Sequence, residues 1–522
     1  MEGSHTALVS FLRGNAEMTS ALNTLLLIRS RGARLWVEND ALKFEAPKGA
    51  ILPEDIQQLR RFKGEIVELM SRDASANSIP LGSRSALDDV PLTPLQQREW
   101  DSICERGDSY PRRHVFAVRV LGELKIQRLC EALDLVRSRH EILRTRFFSL
   151  GGSLGQFVEP VSSSHVSVID LSTAGLQAAE VTLERELVEF AEARANPCQG
   201  PIFDARLWRI GERVYVFAVS LDKMISDCNS NEIVCREVWA AYAQAVRGET
   251  LSQGRAEIQF ADYAVWLLKV HPVWMSTHAQ FWQRRFADVT LPKSSPTHPS
   301  ISGNRASVAI PIDADLAEQL LPFARERQVF PALIMLAAYM AAVHRCFGRR
   351  DIIVMITDNG RFRLELENMV GWLVNNLFLR VSVCGNDTFQ ELLSNVGKEL
   401  ANAHHHRDFN WVPALLPHLI SDLHFNWVTS RRVDANVCTE DLRSVGIELR
   451  SIDLRRSTSV ADFEISFRHD AGLIGLLDYS RDSPFAPKVE EFVADLISTL
   501  RQLILRPTMT LGRHFESRDT LG

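Results

Sequence analysis

Between Ala21 and Arg31 the apolar positions Leu22, Leu25, Leu26 and Ile28 gather near one face of a 3.6-residue repeat, and Gly32 follows. That spacing predicts a helix stopping at the glycine. Two short runs, Arg34–Glu38 and Ala41–Glu45, flank Asn39-Asp40. Asn and Asp tolerate the turn angles a tight hairpin needs. After Pro47-Lys48-Gly49, the segment Pro53-Glu54-Asp55 marks a helix start, where proline fits and acids suit the dipole. A further helical stretch closes near Leu69-Met70. The pattern predicts a small αββα unit over residues 18–72, with Met18 readable as an alternative start.

Residues 73–89 are rich in Ser, Ala, Asp and Gly, with Pro80, and read as a linker. From Val90 onward, strand patterns such as Arg113–Leu121 and Val214–Leu221 alternate with helical ones such as Ile126–Arg139, Glu232–Val246 and Pro331–Phe347. This is an α/β pattern. A Pro/Ser-rich stretch, Leu291 to Asn304, suits a loop or a lobe junction. Two α/β lobes of similar size are expected, residues 90–272 and 273–522. No internal repeat or long low-complexity tract is present.

Bulk properties narrow the classes. The chain has 522 residues, enough for about three folding units at roughly 100–200 residues each. A net charge of -6 argues against a general nucleic-acid binder. No apolar run reaches membrane-spanning length, and the N-terminus lacks the pattern of a secretory signal. Eight cysteines are scattered without a CxxC pair. Reduced thiols in the cytoplasm and no zinc site are expected. The adjacent His404, His405 and His406 cannot all face one ion on a helix or strand, so no metal is expected there.

The segment RGARLWVENDALKFEAPKGAILPEDIQQLRRFKGEIVELM resembles the TubC-type β-hairpin docking domains at the start of many assembly-line subunits. The resemblance covers nearly all of residues 18–72. It implies binding of a short linear motif at the tail of an upstream carrier-protein subunit. An exposed hairpin edge carrying Trp36 can accept a peptide strand. Arg29, Arg31, Arg34, Lys43 and Lys48 could steer an acidic tail toward it.

Within residues 90–510, five segments occur in order: Pro91-Leu92-Thr93-Pro94-Leu95-Gln96-Gln97, Arg139 to Thr145 (RHEILRT), Ala261 to Trp266 (ADYAVW), Val370 to Asn376 (VGWLVNN) and His424-Phe425-Asn426-Trp427. Together they resemble the condensation-domain superfamily of nonribosomal peptide assembly lines. The resemblance implies two chloramphenicol-acetyltransferase-like lobes in a V shape with a tunnel between them. It also implies acyl thioesters delivered on the phosphopantetheine arms of partner carrier proteins, with no bound cofactor.

The family's HHxxxDG loop aligns with Asp222-Lys223-Met224-Ile225-Ser226-Asp227-Cys228. Both histidines are missing, Cys228 replaces the glycine, and Asp227 remains. An imidazole can take a proton at neutral pH. A lysine is normally an ammonium, and Asp222 and Asp227 nearby would hold it charged, so Lys223 reads as an electrostatic or ion-pair residue. Asp227 is expected to pair with Arg361, and Asn229 with Glu232 resembles a helix-capping arrangement. Cys228 has no histidine near it in sequence and reads as packing. The same stretch, Asp222-Lys-Met-Ile-Ser-Asp227-Cys-Asn-Ser230, also resembles the DxxxxDxxS loop of heterocyclisation domains. The other motifs, with Asn375 and Trp427 in two of them, resemble ordinary condensation domains. Asp222, Lys223 and Asp227 are the candidate catalytic residues, and Arg361, Cys228, Ser230, Asn375 and Trp427 the candidate structural residues of the site.

The resemblance implies a free-standing, monomeric enzyme that receives a carrier-bound acyl group in trans and passes it to an amine or hydroxyl, making an amide or ester. Cyclisation and dehydration through Asp222 and Asp227, or carrier binding and recruitment without catalysis, are the alternatives.

Overall fold

The computed structural model describes residues 19–38, 41–70, 79–85, 90–106, 113–162, 166–193, 196–199, 201–250, 256, 258–289, 304–361, 363–407, 422–428, 439–452, 461–469 and 473–513. Near the N-terminus, a helix over residues 19–30 precedes the Arg34–Glu38 and Ala41–Glu45 hairpin. Two helices, Pro53–Arg61 and Lys63–Met70, follow. The unit is therefore αββαα: the helix start at Pro53 and the stretch closing near Met70 are two separate helices, one more than the αββα order counts.

The rest of the chain forms two sheet-based lobes. The first sheet has five strands in the order Ile447–Ile452, Arg113–Gly122, Val214–Asp222, Phe203–Gly211, Ser167–Asp170. Its Val214–Asp222 strand is apolar on both faces because both are covered. Phe217, Val219 and Leu221 pack in the core that holds the Cys228–Arg247 helix, with Phe217 5.7 Å from the Trp239 ring. Val216 and Ala218 pack with Trp208 beneath the Leu176–Glu192 helix.

The second sheet has six strands in the order Asn375–Ser382, Asp351–Asp358, Leu423–Val428, Phe463–His469, Leu473–Ser480, Arg305–Ile310. Leu423, Phe425, Phe463, Ile465 and Phe467 turn into a core with the helices Pro331–Phe347 and Val489–Leu505. The two-residue alternation of a strand sends Thr357, His424 and Glu464 to the opposite face.

The lobes are interleaved rather than strictly sequential. The expected division at residues 272/273 falls inside one uninterrupted 27-residue helix, Phe260–Phe286. Ile447–Ile452, from the second half of the chain, completes the first lobe's sheet beside Arg113–Gly122. Among the described residues no single helix is long and apolar enough to cross a membrane.

The N-terminal unit is seated on the second lobe. Leu22, Leu25 and Ile28 belong to one continuous apolar cluster with Phe330, Leu333 and Leu400. Asn23 accepts a hydrogen bond from the Phe330 N–H at 3.3 Å. Gly397 allows the close approach, because a Cβ there would meet Thr19 Cγ2 at 2.8 Å.

Candidate active site

The Val214–Asp222 strand delivers the loop residues to the cleft, and the turn after it is tightly wired. Asp222 is buried and accepts a hydrogen bond from the Met224 N–H at 2.9 Å, capping a short 3-10 turn. Gln96, from the opening PLTPLQQ segment, is fully buried and donates to the Met224 carbonyl at 2.8 Å. That segment therefore braces the loop.

Lys223 points elsewhere than its flanking aspartates suggested. Its Nζ lies 3.0 Å from a Glu99 carboxylate oxygen and 4.7 Å from the centroid of the Trp372 ring. The ion pair is thus made with Glu99, on the helix Pro94–Arg106 that begins within the PLTPLQQ motif. An ammonium in an ion pair and over an aromatic face donates hydrogen bonds and positive potential, not basicity.

Asp227 is 2% exposed and accepts six hydrogen bonds. Arg361 Nη1 and Nη2 donate at 2.8 and 2.9 Å, the Ser230 N–H and hydroxyl at 2.8 Å each, and the Leu373 and Val374 N–H groups at 3.0 and 3.2 Å. Burial works against its charge, but the Arg361 guanidinium and these bonds outweigh it and hold the carboxyl below the usual range. Asp227, rather than Asn229, caps the following helix, because its oxygen reaches the Ser230 N–H. Arg361 adds a bond to the Met369 carbonyl at 3.0 Å. Ser230 Oγ, its proton given to Asp227, accepts the Gly371 N–H at 3.0 Å and lies 2.9 Å from the Gly371 carbonyl oxygen. Gly371 is required there, since a Cβ would lie 2.0 Å from the Phe260 ring.

The remaining candidates are spread around the cleft. Cys228 keeps accessible surface although protein surrounds it, as a side chain facing an internal cleft does. Burial pushes its thiol up to about 12, with Asp227, Glu232 and Glu464 adding to the effect. It is therefore protonated near neutrality and a poor nucleophile. Asn375 donates to the Arg407 carbonyl at 2.9 Å, a strand-end anchor. Trp427 packs 5.7 Å from the Phe330 ring and lines the main cavity. Sequence spacing did not point to His114, whose Nδ1 lies 3.1 Å from Ser226 Oγ beside the loop. The strand pairing that sets His114 opposite Leu221 is its only signal.

That cavity holds about 1340 Å³ and is lined from three sides. Asn229 and Glu232 come from the first lobe, Thr357 and Phe425 from the second, and Leu25 and Arg29 from the N-terminal unit. Arg34, at the junction, bonds Glu367 of the main body at 2.6 Å and Glu45 of its own hairpin at 3.3 Å. Arg31 is paired with Asp55 at 2.5 Å, and Arg29 reaches the Leu35 carbonyl at 3.5 Å. These three arginines knit the unit together and onto the lobe. Lys43 and Lys48 are exposed, with exposed Phe44 beside Lys43, and Trp36 is half-buried on the inner strand. Among the described residues no group of metal-ligating side chains occurs; His406 instead sits 2.8 Å from His278, nitrogen to nitrogen.

The condensation-domain profile matches residues 86–516, and the TubC N-terminal docking-domain profile matches residues 25–71. Malpinin synthetase of Mortierella alpina is 26% identical over 434 residues, 79% of this chain and 5% of that protein. PF 1022-synthetase of Rosellinia sp. is 30% identical over 379 residues, covering 70% of this chain and 12% of that protein. The chain thus spans a small fraction of such relatives. Among solved structures, the X-domain from teicoplanin biosynthesis superposes with a TM-score of 0.72 at 21% identity, covering 83% of this chain and 98% of that one. The condensation domain of the monacolin K polyketide synthase MokA gives 0.69 at 18% identity, covering 82% of this chain and 100% of that one. With its two α/β lobes and seated hairpin unit, the chain belongs to the condensation-domain family and carries a TubC-type docking domain at its N-terminus.

Proposed function

We propose that this protein transfers an acyl group from a carrier-bound thioester to an amine or hydroxyl acceptor. The observation that carries the reading is the cavity of about 1340 Å³ that opens between the two lobes and touches the docking helix. A phosphopantetheine arm threaded into it would bring its thioester beside an acceptor entering from elsewhere. The acceptor's lone pair forms a C–N or C–O bond, the C–S bond breaks, and the departing thiol takes up the acceptor's proton. Holding two reactants in line is by itself worth a large fraction of such a barrier. Lys223, paired to Glu99 and set over the Trp372 ring, adds positive potential to the loop rather than a base. Docking would use the outer hairpin edge, where Lys43 and Lys48 favour an acidic tail on the upstream carrier protein. The carrier's own arm brings the only prosthetic group the reaction needs.

Heterocyclisation through Asp227 finds no support in a carboxylate whose two oxygens already accept six bonds. A recruiting role has one specific point in favour. The X-domain of teicoplanin biosynthesis, similar in fold, forms a complex with OxyB, and the present loop lacks both histidines. Product analysis separates these readings. An acylated carrier is mixed with the protein and a panel of amines, alcohols and aminoacyl carriers, and products are identified by mass. An amide or ester supports transfer. A product lighter by one water supports cyclisation. Tight carrier binding without any product supports recruitment.

A further inference from the structure

The face of the second-lobe sheet turned away from its helices carries polar residues in the middle of buried strands. Leu423–Val428 and Phe463–His469 run parallel with His424 opposite Glu464. Asp351–Asp358 flanks them on the other side. His424 is 7% exposed. Its Nε2 lies 3.0 Å from Thr357 Oγ1, and its Nδ1 lies 3.2 Å from Glu464 Oε2, a charge contact whose angle does not make a hydrogen bond. Asp478 stands opposite Glu464 on the next strand and takes a hydrogen bond from Ser307, and Arg305 acts on both carboxylates.

Hydroxyl, imidazole and carboxylate thus stand in one row across three strands. Apolar side chains would fill these positions at less desolvation cost, so the row asks for a use. It ends on Thr357, which lines the main cavity. It also lies within electrostatic reach of the degenerate loop, since the Glu464 charge adds to the rise of the Cys228 thiol.

We propose that Thr357, His424 and Glu464 form a proton relay from the second lobe that serves acyl transfer in place of the missing loop histidines. The inference rests on the transfer reading above. Thr357 is the catalytic residue, touching the acceptor, and His424 and Glu464 act through it. The acceptor's N–H or O–H gives its proton to Thr357 Oγ1, while the Thr357 hydroxyl proton passes to His424 Nε2. The new C–N or C–O bond forms as the C–S bond breaks. The departing thiolate then recovers the proton from His424 by the same path. Glu464, 3.2 Å from Nδ1, steadies the transient imidazolium by its negative charge.

The test compares two acceptors, an alcohol that needs a base and hydroxylamine, which is unprotonated and strongly nucleophilic at neutral pH. His424→Gln and Thr357→Val should each slow transfer to the alcohol about 100-fold, in kcat rather than KM. Transfer to hydroxylamine should fall far less, and Thr357→Ser should keep the alcohol reaction. If His424→Gln does not fold, the two Thr357 variants carry the comparison. Equal losses with both acceptors, or no loss with either, would overturn the relay while leaving transfer in place. A wild-type protein that acylates neither acceptor overturns the transfer reading and the relay together.

Discussion

Asp227 and Glu464 are both carboxylates between the lobes, yet their neighbours differ in kind. Asp227 is surrounded by two arginine nitrogens, a serine and two backbone N–H groups of the opposite lobe. Every donor is itself fixed, so the cluster locks Cys228–Arg247 to the Val370–Asn376 segment and has nothing left to give a substrate. Glu464 instead abuts an imidazole, and that imidazole abuts a hydroxyl on the cavity wall. One network closes on itself and the other opens on the cavity. Saturated networks hold structures together, while chains that terminate at a cavity can move a proton.

The contrast can be broken most forcefully at Arg361. Arg361→Ala leaves the Asp227 charge buried and alone, and should cost about 3–5 kcal/mol, read as a large drop in Tm or loss of soluble protein. Unchanged stability would show that the locking network does not lock. Asp227→Asn sharpens the point through pH. The folded carboxyl is held below its unfolded value, so its contribution is complete above about pH 4 and is lost as pH falls through the lower folded value. Denaturant titrations should therefore show wild type and variant well separated at neutral pH and converging in acid. A gap that persists in acid would contradict the assignment.

Effects on activity from the loop should be smaller. Lys223→Met should slow transfer about tenfold, below the hundredfold or more of a dedicated oxyanion donor, because Glu99 already offsets the charge. Loss of all activity would return the chemistry to the loop. On the docking face, Lys43→Glu with Lys48→Glu should weaken binding of an acidic tail several-fold, chiefly in the on-rate and most at low salt. Arg34→Ala should matter least. Its bridge to Glu367 is partly exposed, so the stability change should stay under about 1 kcal/mol.

Much of this architecture is legible in the chain. The helices Ile126–Arg139 and Pro331–Phe347 and both hairpin strands run over the residues their periodicity predicts. The Asp227–Arg361 pair follows from the family pattern. What stays hidden depends on contacts distant in sequence. Glu99 lies 124 residues before Lys223, in a helix whose own pattern does not mark it as a partner. The Ile447–Ile452 strand reads like any other edge strand until it is found in the first lobe's sheet. The docking helix shows one apolar face, but nothing in its spacing says that Phe330 and Leu333 will cover it. Thr357, His424 and Glu464 meet only through the strand order. Their sequence trace is slight: a histidine in LHFNWV and a glutamate in FEISFRH, each between buried aromatic or aliphatic neighbours.

The most direct test is intact-mass measurement of an acylated upstream carrier protein, with its native tail, mixed with this protein and an alcohol or amine acceptor. The account predicts that the carrier loses its acyl mass only when the protein is present and that a matching amide or ester appears. It further predicts a large slowing by His424→Gln for the alcohol and a modest one by Lys223→Met. A carrier that binds through its tail and keeps its acyl group with every acceptor would contradict the account and leave a recruiting module in its place.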